Sequence, residues 1–243
     1  LSQWETGEMI GSLAVADDHQ LILATASGFR KFNLNDNRSR LVFNPEVNTT
    51  GTRFNDGKTD RNGQFIAGTM GTKIRDRALG AFYRLRHDLT VDQLRDDVIV
   101  ANGPCFSPDG NTFYFNDGRG RILAADYHPD KPLGRERIFF DGKAHETGSD
   151  GATVDADGNL WTALTGTAEV GCISPDGEIL ERIKMPIRLP SSVMFGGPNL
   201  EALYVTSISN SGNRTSTEPG AGGLYRILGL GAKGIAEPRF GAG

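Results

Sequence analysis

Short apolar runs separated by polar turns dominate this chain, and the turns recur. A turn of the Asp-Gly or Asn-Gly kind, or a close relative of it, stands before a β-rich run in five successive copies. Asp18-His19 precedes Leu21-Ile22-Leu23, Asn62-Gly63 precedes Phe65-Ile66-Ala67, and Asp109-Gly110 precedes Thr112-Phe113-Tyr114-Phe115. Asp157-Gly158 then leads into Leu160-Trp161-Thr162, and Asn199 into Ala202-Leu203-Tyr204-Val205, with steps of 44, 47, 48 and 42 residues. An apolar run precedes each turn, as in Leu13-Ala14-Val15-Ala16. A second β-run follows, often opened by glycine, as in Gly80-Ala81-Phe82-Tyr83-Arg84-Leu85. Three or four short strands in a period of this length predict a propeller blade. No segment sustains a helical period; the best, Leu89 to Val98, is short and carries three Asp. The pattern therefore predicts an all-β propeller occupying residues 1–243 as one domain. The repeats fall at roughly 1–52, 53–100, 101–148, 149–189 and 190–243.

The first strand of each blade lines a propeller's axis, so equivalent positions on those strands surround one point. Counting back seven residues from each turn gives Asn55, Asn102, Asp150 and Ser192, and six residues before Asp18 stands Ser12. Asn carbonyls and a carboxylate converging on one point form a hard-oxygen site suited to calcium, magnesium or manganese. Zinc more often recruits His or Cys, and neither occupies the ring. One divalent cation is thus the expected cofactor, calcium first, with magnesium, manganese or zinc as alternatives. Asp150 is the only carboxylate in the ring and the candidate general base as well as a ligand. Arg53, two residues before Asn55, shares its face by strand alternation and is a candidate to hold substrate hydroxyls or a developing carboxylate.

Composition narrows the classes. The net charge of −4, without a basic stripe, argues against nucleic acid. No apolar run approaches the ~20 residues of a membrane helix, and Leu1 to Glu5 has no signal-peptide character. Cys105 and Cys172, 67 residues apart, lack metal spacing and read as packed thiols in a reducing, cytoplasmic setting. His145 and Glu146 read as solvated loop residues, and the Ser/Asn-rich stretch from Ser207 to Gly220 as a mobile loop over one face.

The same residues carry a family likeness. Arg53-Phe54-Asn55-Asp56-Gly57-Lys58 with Asp60, Gly63 and Gly68-Thr69-Met70 resembles the most characteristic motif of the senescence marker protein/gluconolactonase/regucalcin family. Asn102-Gly103-Pro104 with Ser107-Pro108-Asp109-Gly110 is similar to its second motif, and Ser149-Asp150-Gly151 with Asp155, Asp157-Gly158 and Leu160-Trp161 to its third. Phe195-Gly196-Gly197 and the tail motif Gly229-Leu230-Gly231 extend the match. The resemblance implies a six-bladed propeller with one divalent metal held by Asn102 and Asp150. Asn55 and Arg53 would face the metal's water or the substrate. It implies hydrolysis of small-molecule sugar lactones of the gluconolactone type. Two positions depart from the pattern. The family's first ligand, a Glu in a Gly-Glu-x-Pro-x-Trp motif, has no counterpart, so the N-terminal blade is expected to be absent from this chain. Some relatives carry a substrate-contacting acid after Thr-Met, where this chain has Gly71-Thr72-Lys73. A non-catalytic calcium-binding regulatory propeller and a propeller interaction module are the alternative readings.

Overall fold

The computed structural model describes residues 3–241 apart from residue 75. Each polar turn closes a hairpin, and the apolar runs between turns pair into five antiparallel sheets. Blade one comprises β1 (Ile10–Val15), β2 (Gln20–Thr25), β3 (Gly28–Asn33) and β4 (Arg38–Phe43). Blade two comprises β5 (Thr52–Thr59), β6 (Phe65–Gly71), β7 (Gly80–Leu85) and β8 (Val91–Val98). Blade three comprises β9 (Asn102–Phe106), β10 (Thr112–Asn116), β11 (Arg121–Asp126) and β12 (Glu136–Asp141). Blade four holds β13 (Ser149–Val154), β14 (Leu160–Leu164), β15 (Glu169–Ile173) and β16 (Ile179–Lys184). Blade five has three strands, β17 (Pro190–Gly196), β18 (Ala202–Ser207) and β19 (Leu224–Ile227). No helix among the described residues is long and apolar enough to cross a membrane.

The five sheets match the five repeats, and a sixth blade is not seen among the described residues. One period of short strands satisfies its backbone as one sheet, so the number of sheets follows the number of repeats, which is five. The first strand of each sheet lies innermost, with β1 against β5, β5 against β9, β9 against β13 and β13 against β17.

Packing energy sits between blades. Four hydrophobic clusters join consecutive blades, for example Phe29, Phe54, Phe65 and Tyr83 between blades one and two, and Phe82, Phe106, Phe113 and Phe115 between blades two and three. A third joins blades three and four, and a fourth joins blades four and five. Burying one such aromatic side chain contributes about 1.5–3 kcal/mol, so the sheets hold one another in place. Leu13 and Val15 of β1 are exposed on the face turned from blade two. Cys105 and Cys172 are buried free thiols.

Residues 233–241 cross the opposite end of the channel as a strap. Asp155 pairs with Gly234, and Glu237 meets Lys58 at 3.7 Å and Arg61 at 3.2 Å. Thr59 Oγ1 donates to Pro238 O at 2.9 Å, and the Phe240 amide donates to Val15 O at 2.8 Å. The strap floors the channel and leaves its other end to the site.

Candidate functional site

Each of the five inner strands carries one residue more than its partner at the same place. The slips fall between Ile10 and Ser12 in β1, Phe54 and Gly57 in β5, and Asn102 and Cys105 in β9. They recur between Ser149 and Ala152 in β13 and between Pro190 and Ser192 in β17. A bulge bends the strand and turns consecutive side chains toward one side. Five bulges at one level therefore aim side chains into the axis. Close approach requires glycine at three of them, Gly11 against the backbone of Phe54 and Asn55 being the first. Gly103 has φ +57°, and a Cβ there would lie 2.7 Å from Asp150 O; a Cβ on Gly151 would strike the Ser192 side chain.

The sequence-predicted residues Arg53, Asn55, Asn102 and Asp150 line one cavity of about 490 Å³. Arg53 Nη1 donates to Asn55 Oδ1 at 2.9 Å and to Phe54 O at 2.8 Å. Asn55 Nδ2 in turn donates to Asn102 Oδ1 at 2.6 Å and to Ala101 O at 2.8 Å. Two of the three predicted oxygen donors are thus directly linked, and the guanidinium of Arg53 orients the first. Asp150 faces the same space from β13. Ser192 lines the cavity, whereas the Ser12 hydroxyl is turned against Gly57 and buried without a hydrogen bond. The rest of the lining includes Asn116, Ser149, Thr165 and Ser191, side chains that offer hydroxyls and amides rather than apolar surface.

Asp56 and Arg214 also line the cavity and were not singled out from the sequence. Strand alternation would turn Asp56 away from the face of Asn55, but the bulge brings both inward. Asp56 Oδ2 accepts the Gly103 amide at 2.8 Å and Oδ1 the Gly57 amide at 2.8 Å. Arg214 comes from the loop between β18 and β19, whose polar, aperiodic sequence gives no signal for one residue over another. Its Nη1 stands 3.9 Å from Asp150 Oδ2.

Charge in this cavity is unevenly compensated. Burial, and secondarily the carboxylate of Asp56, raise Asp150 to about 7, against the opposing pull of Arg214 and the Gly151 amide. Burial likewise raises Asp56, opposed by the Gly103 amide, Lys58 and the Gly57 amide. Two desolvated carboxylates facing each other disfavour joint ionisation unless a cation joins them. No group of three or more His, Cys, Asp or Glu suited to a metal occurs among the described residues. The donor set is instead one carboxylate and two carboxamide oxygens. That chemistry fits a hard cation such as calcium or magnesium, which accepts Asn carbonyls and water.

The family model described as "SMP-30/Gluconolactonase/LRE-like region" matches residues 1–209. Regucalcin of Xenopus laevis is 34% identical over 242 residues, spanning 95% of this chain and 80% of that protein. L-arabinolactonase of Azospirillum brasilense is 34% identical over 248 residues, spanning 99% and 81%. The solved structure of a calcium-binding protein, regucalcin, from Agrobacterium tumefaciens superposes with a TM-score of 0.87 at 28% identity, covering 96% of this chain and 80% of that one.

Proposed function

Since this chain belongs to the SMP-30/gluconolactonase/LRE-like family, we propose that it is a hydrolase that opens sugar lactones by adding water to the ring ester. The observation that carries this reading is the convergence of Arg53, Asn55, Asn102 and Asp150, from three separate blades, on one polar cavity.

A lactone needs its carbonyl polarised, a water deprotonated and its ring oxygen protonated. Asn102 and Asp150, with Asn55, would hold one divalent cation, calcium first among the candidates, which when bound supplies Lewis acidity toward the carbonyl oxygen and acidifies water. Asp150 accepts the proton of the attacking water on a carboxylate oxygen. The C–O bond to the ring oxygen then breaks, and that oxygen takes up the proton as a hydroxyl. The product is a hydroxy acid, and Arg53 stabilises the developing carboxylate with a fork of N–H donors. Asn55, held between Arg53 and Asn102, orients the substrate hydroxyls, and Ser149, Thr165 and Ser192 extend that polar lining.

Each turnover releases acid, so a pH-indicator assay with gluconolactone and arabinolactone in the presence of calcium tests the reading. The parent protein opens the ring and Asp150→Asn does not. Full activity in Asp150→Asn would refute the assignment. Tight calcium binding without ring opening would favour the regulatory propeller instead, a reading supported by the poorly compensated Asp56 and Asp150 pair.

A further inference from the structure

Arg214 has no place in the chemistry above, yet its guanidinium faces the reacting region. It sits on a loop built to hold it. Asn210 and Thr215 pair as a bridge, the Ser211 amide donates to Arg214 O at 3.0 Å, and the Ser216 amide donates to Ser209 O at 2.9 Å. Arg188 pins the loop from below: its amide donates to Glu218 Oε1 and its guanidinium to Thr215 O. The stretch that composition marks as a mobile loop is thus folded into a hairpin over the cavity.

The two cavity arginines differ in what already engages them. Arg53 donates to Phe54 O and Asn55 Oδ1, so its orientation is set by β5. Among the described residues Arg214 makes no side-chain hydrogen bond, and its ion pair with Asp150 is long, at 3.9 Å. Half-exposed at 45%, it keeps its donors directed at the cavity mouth. A planar guanidinium with unused N–H donors is suited to a bidentate carboxylate. A neutral hydroxymethyl group would leave most of those donors to water.

Resting on the lactonase reading, we infer that Arg214 is a specificity-determining residue that binds a carboxylate carried by the substrate, so that the preferred substrates are lactones of sugar dicarboxylic acids rather than of neutral aldonic acids. A singly charged carboxylate is favoured over a phosphate because Arg214 offers one guanidinium, and Arg53, the other cationic side chain lining the cavity, is already engaged on Phe54 O and Asn55 Oδ1.

A matched pair of lactones tests the inference. The 1,4-lactones of gluconic and glucaric acid differ only in having a hydroxymethyl or a carboxylate at the far carbon. The parent protein is expected to show at least a tenfold higher kcat/KM for the glucaric lactone. Arg214→Gln raises KM for that lactone by about 10- to 100-fold, the loss expected for a hydrogen-bonded charge pair, with kcat changed far less. Its effect on the gluconic lactone is at least tenfold smaller. Arg214→Lys, which keeps the charge and loses the fork, falls between. Equal use of both lactones by the parent, an equal loss on both in Arg214→Gln, or a preference for gluconolactone 6-phosphate overturns the inference and leaves the lactonase reading standing. Failure of the parent to open any lactone overturns both.

Discussion

Asp150 and Asp155 lie five residues apart, one within β13 and the other just beyond it, and they live in opposite electrostatic worlds. Asp155 is 1% exposed and accepts four hydrogen bonds: Asp157 and Asn159 amides on Oδ1, the Asn159 side chain and the Trp161 indole on Oδ2, at 2.8 to 3.1 Å. Asp60 repeats that pattern in blade two with Asn62, Gln64 and Tyr127. These carboxylates close the turns between inner strand and next strand, and their charge is absorbed by amides of the turn together with the Trp161 indole or the Tyr127 hydroxyl. Asp150 has a distant arginine and an opposing carboxylate. Fully hydrogen-bonded carboxylates build the blade, whereas Asp150 faces the cavity in which we propose a ligand binds.

The largest effect should separate activity from stability. Asp150→Asn is expected to lower kcat by about 10³-fold, the middle of the range for a general base, while its melting temperature stays at or above the parent's, because a desolvated charge is removed. Asp155→Ala should do the reverse. Stranding the Trp161 indole and two amides costs about 3 kcal/mol in urea unfolding, with activity per folded molecule kept. Comparable stability losses in the two variants would erase the distinction. Next, calcium at 100 times its dissociation constant should stabilise the parent by about 2.7 kcal/mol, an effect that chelation reverses and Asp150→Asn lacks in calorimetry. The smallest effect concerns Asp92. Burial raises its pKa, but hydrogen bonds and charge from Arg84 and Arg86 outweigh burial and hold it below the ordinary 3.8. A lowered folded value stabilises above 3.8 and is lost as pH falls through it. Asp92→Asn should therefore cost under about 1 kcal/mol at pH 7, after solvent screening, and the gap from the parent should close in urea melts below pH 3.8.

How much of this was legible follows from what each feature depends on. Turn residues at steps of 42 to 48 report the hairpins directly, because the turn chemistry is local. The positions of Asn55, Asn102 and Asp150 were readable because the inner strands start at a near-constant distance before those turns. The five repeats were readable for the same reason, and the five sheets follow them. Asp56 was hidden by the bulge between Phe54 and Gly57, a slip that defeats the period of two on which facing is read. Arg214 was hidden because its loop has no period at all. His145 and Glu146, read as solvated loop residues, are exposed; the stacking of His145 on Phe140 at 4.9 Å joins residues whose spacing follows neither a helix nor a strand pattern.

The strap over the channel floor sets a schedule for synthesis. Thr59 and Pro238, which it joins, are separated by 179 residues, so at ribosomal rates of about 5–20 residues per second the second blade waits roughly 10–40 s for its partner. Through that interval the aromatic cluster that Phe240 joins lacks its last member.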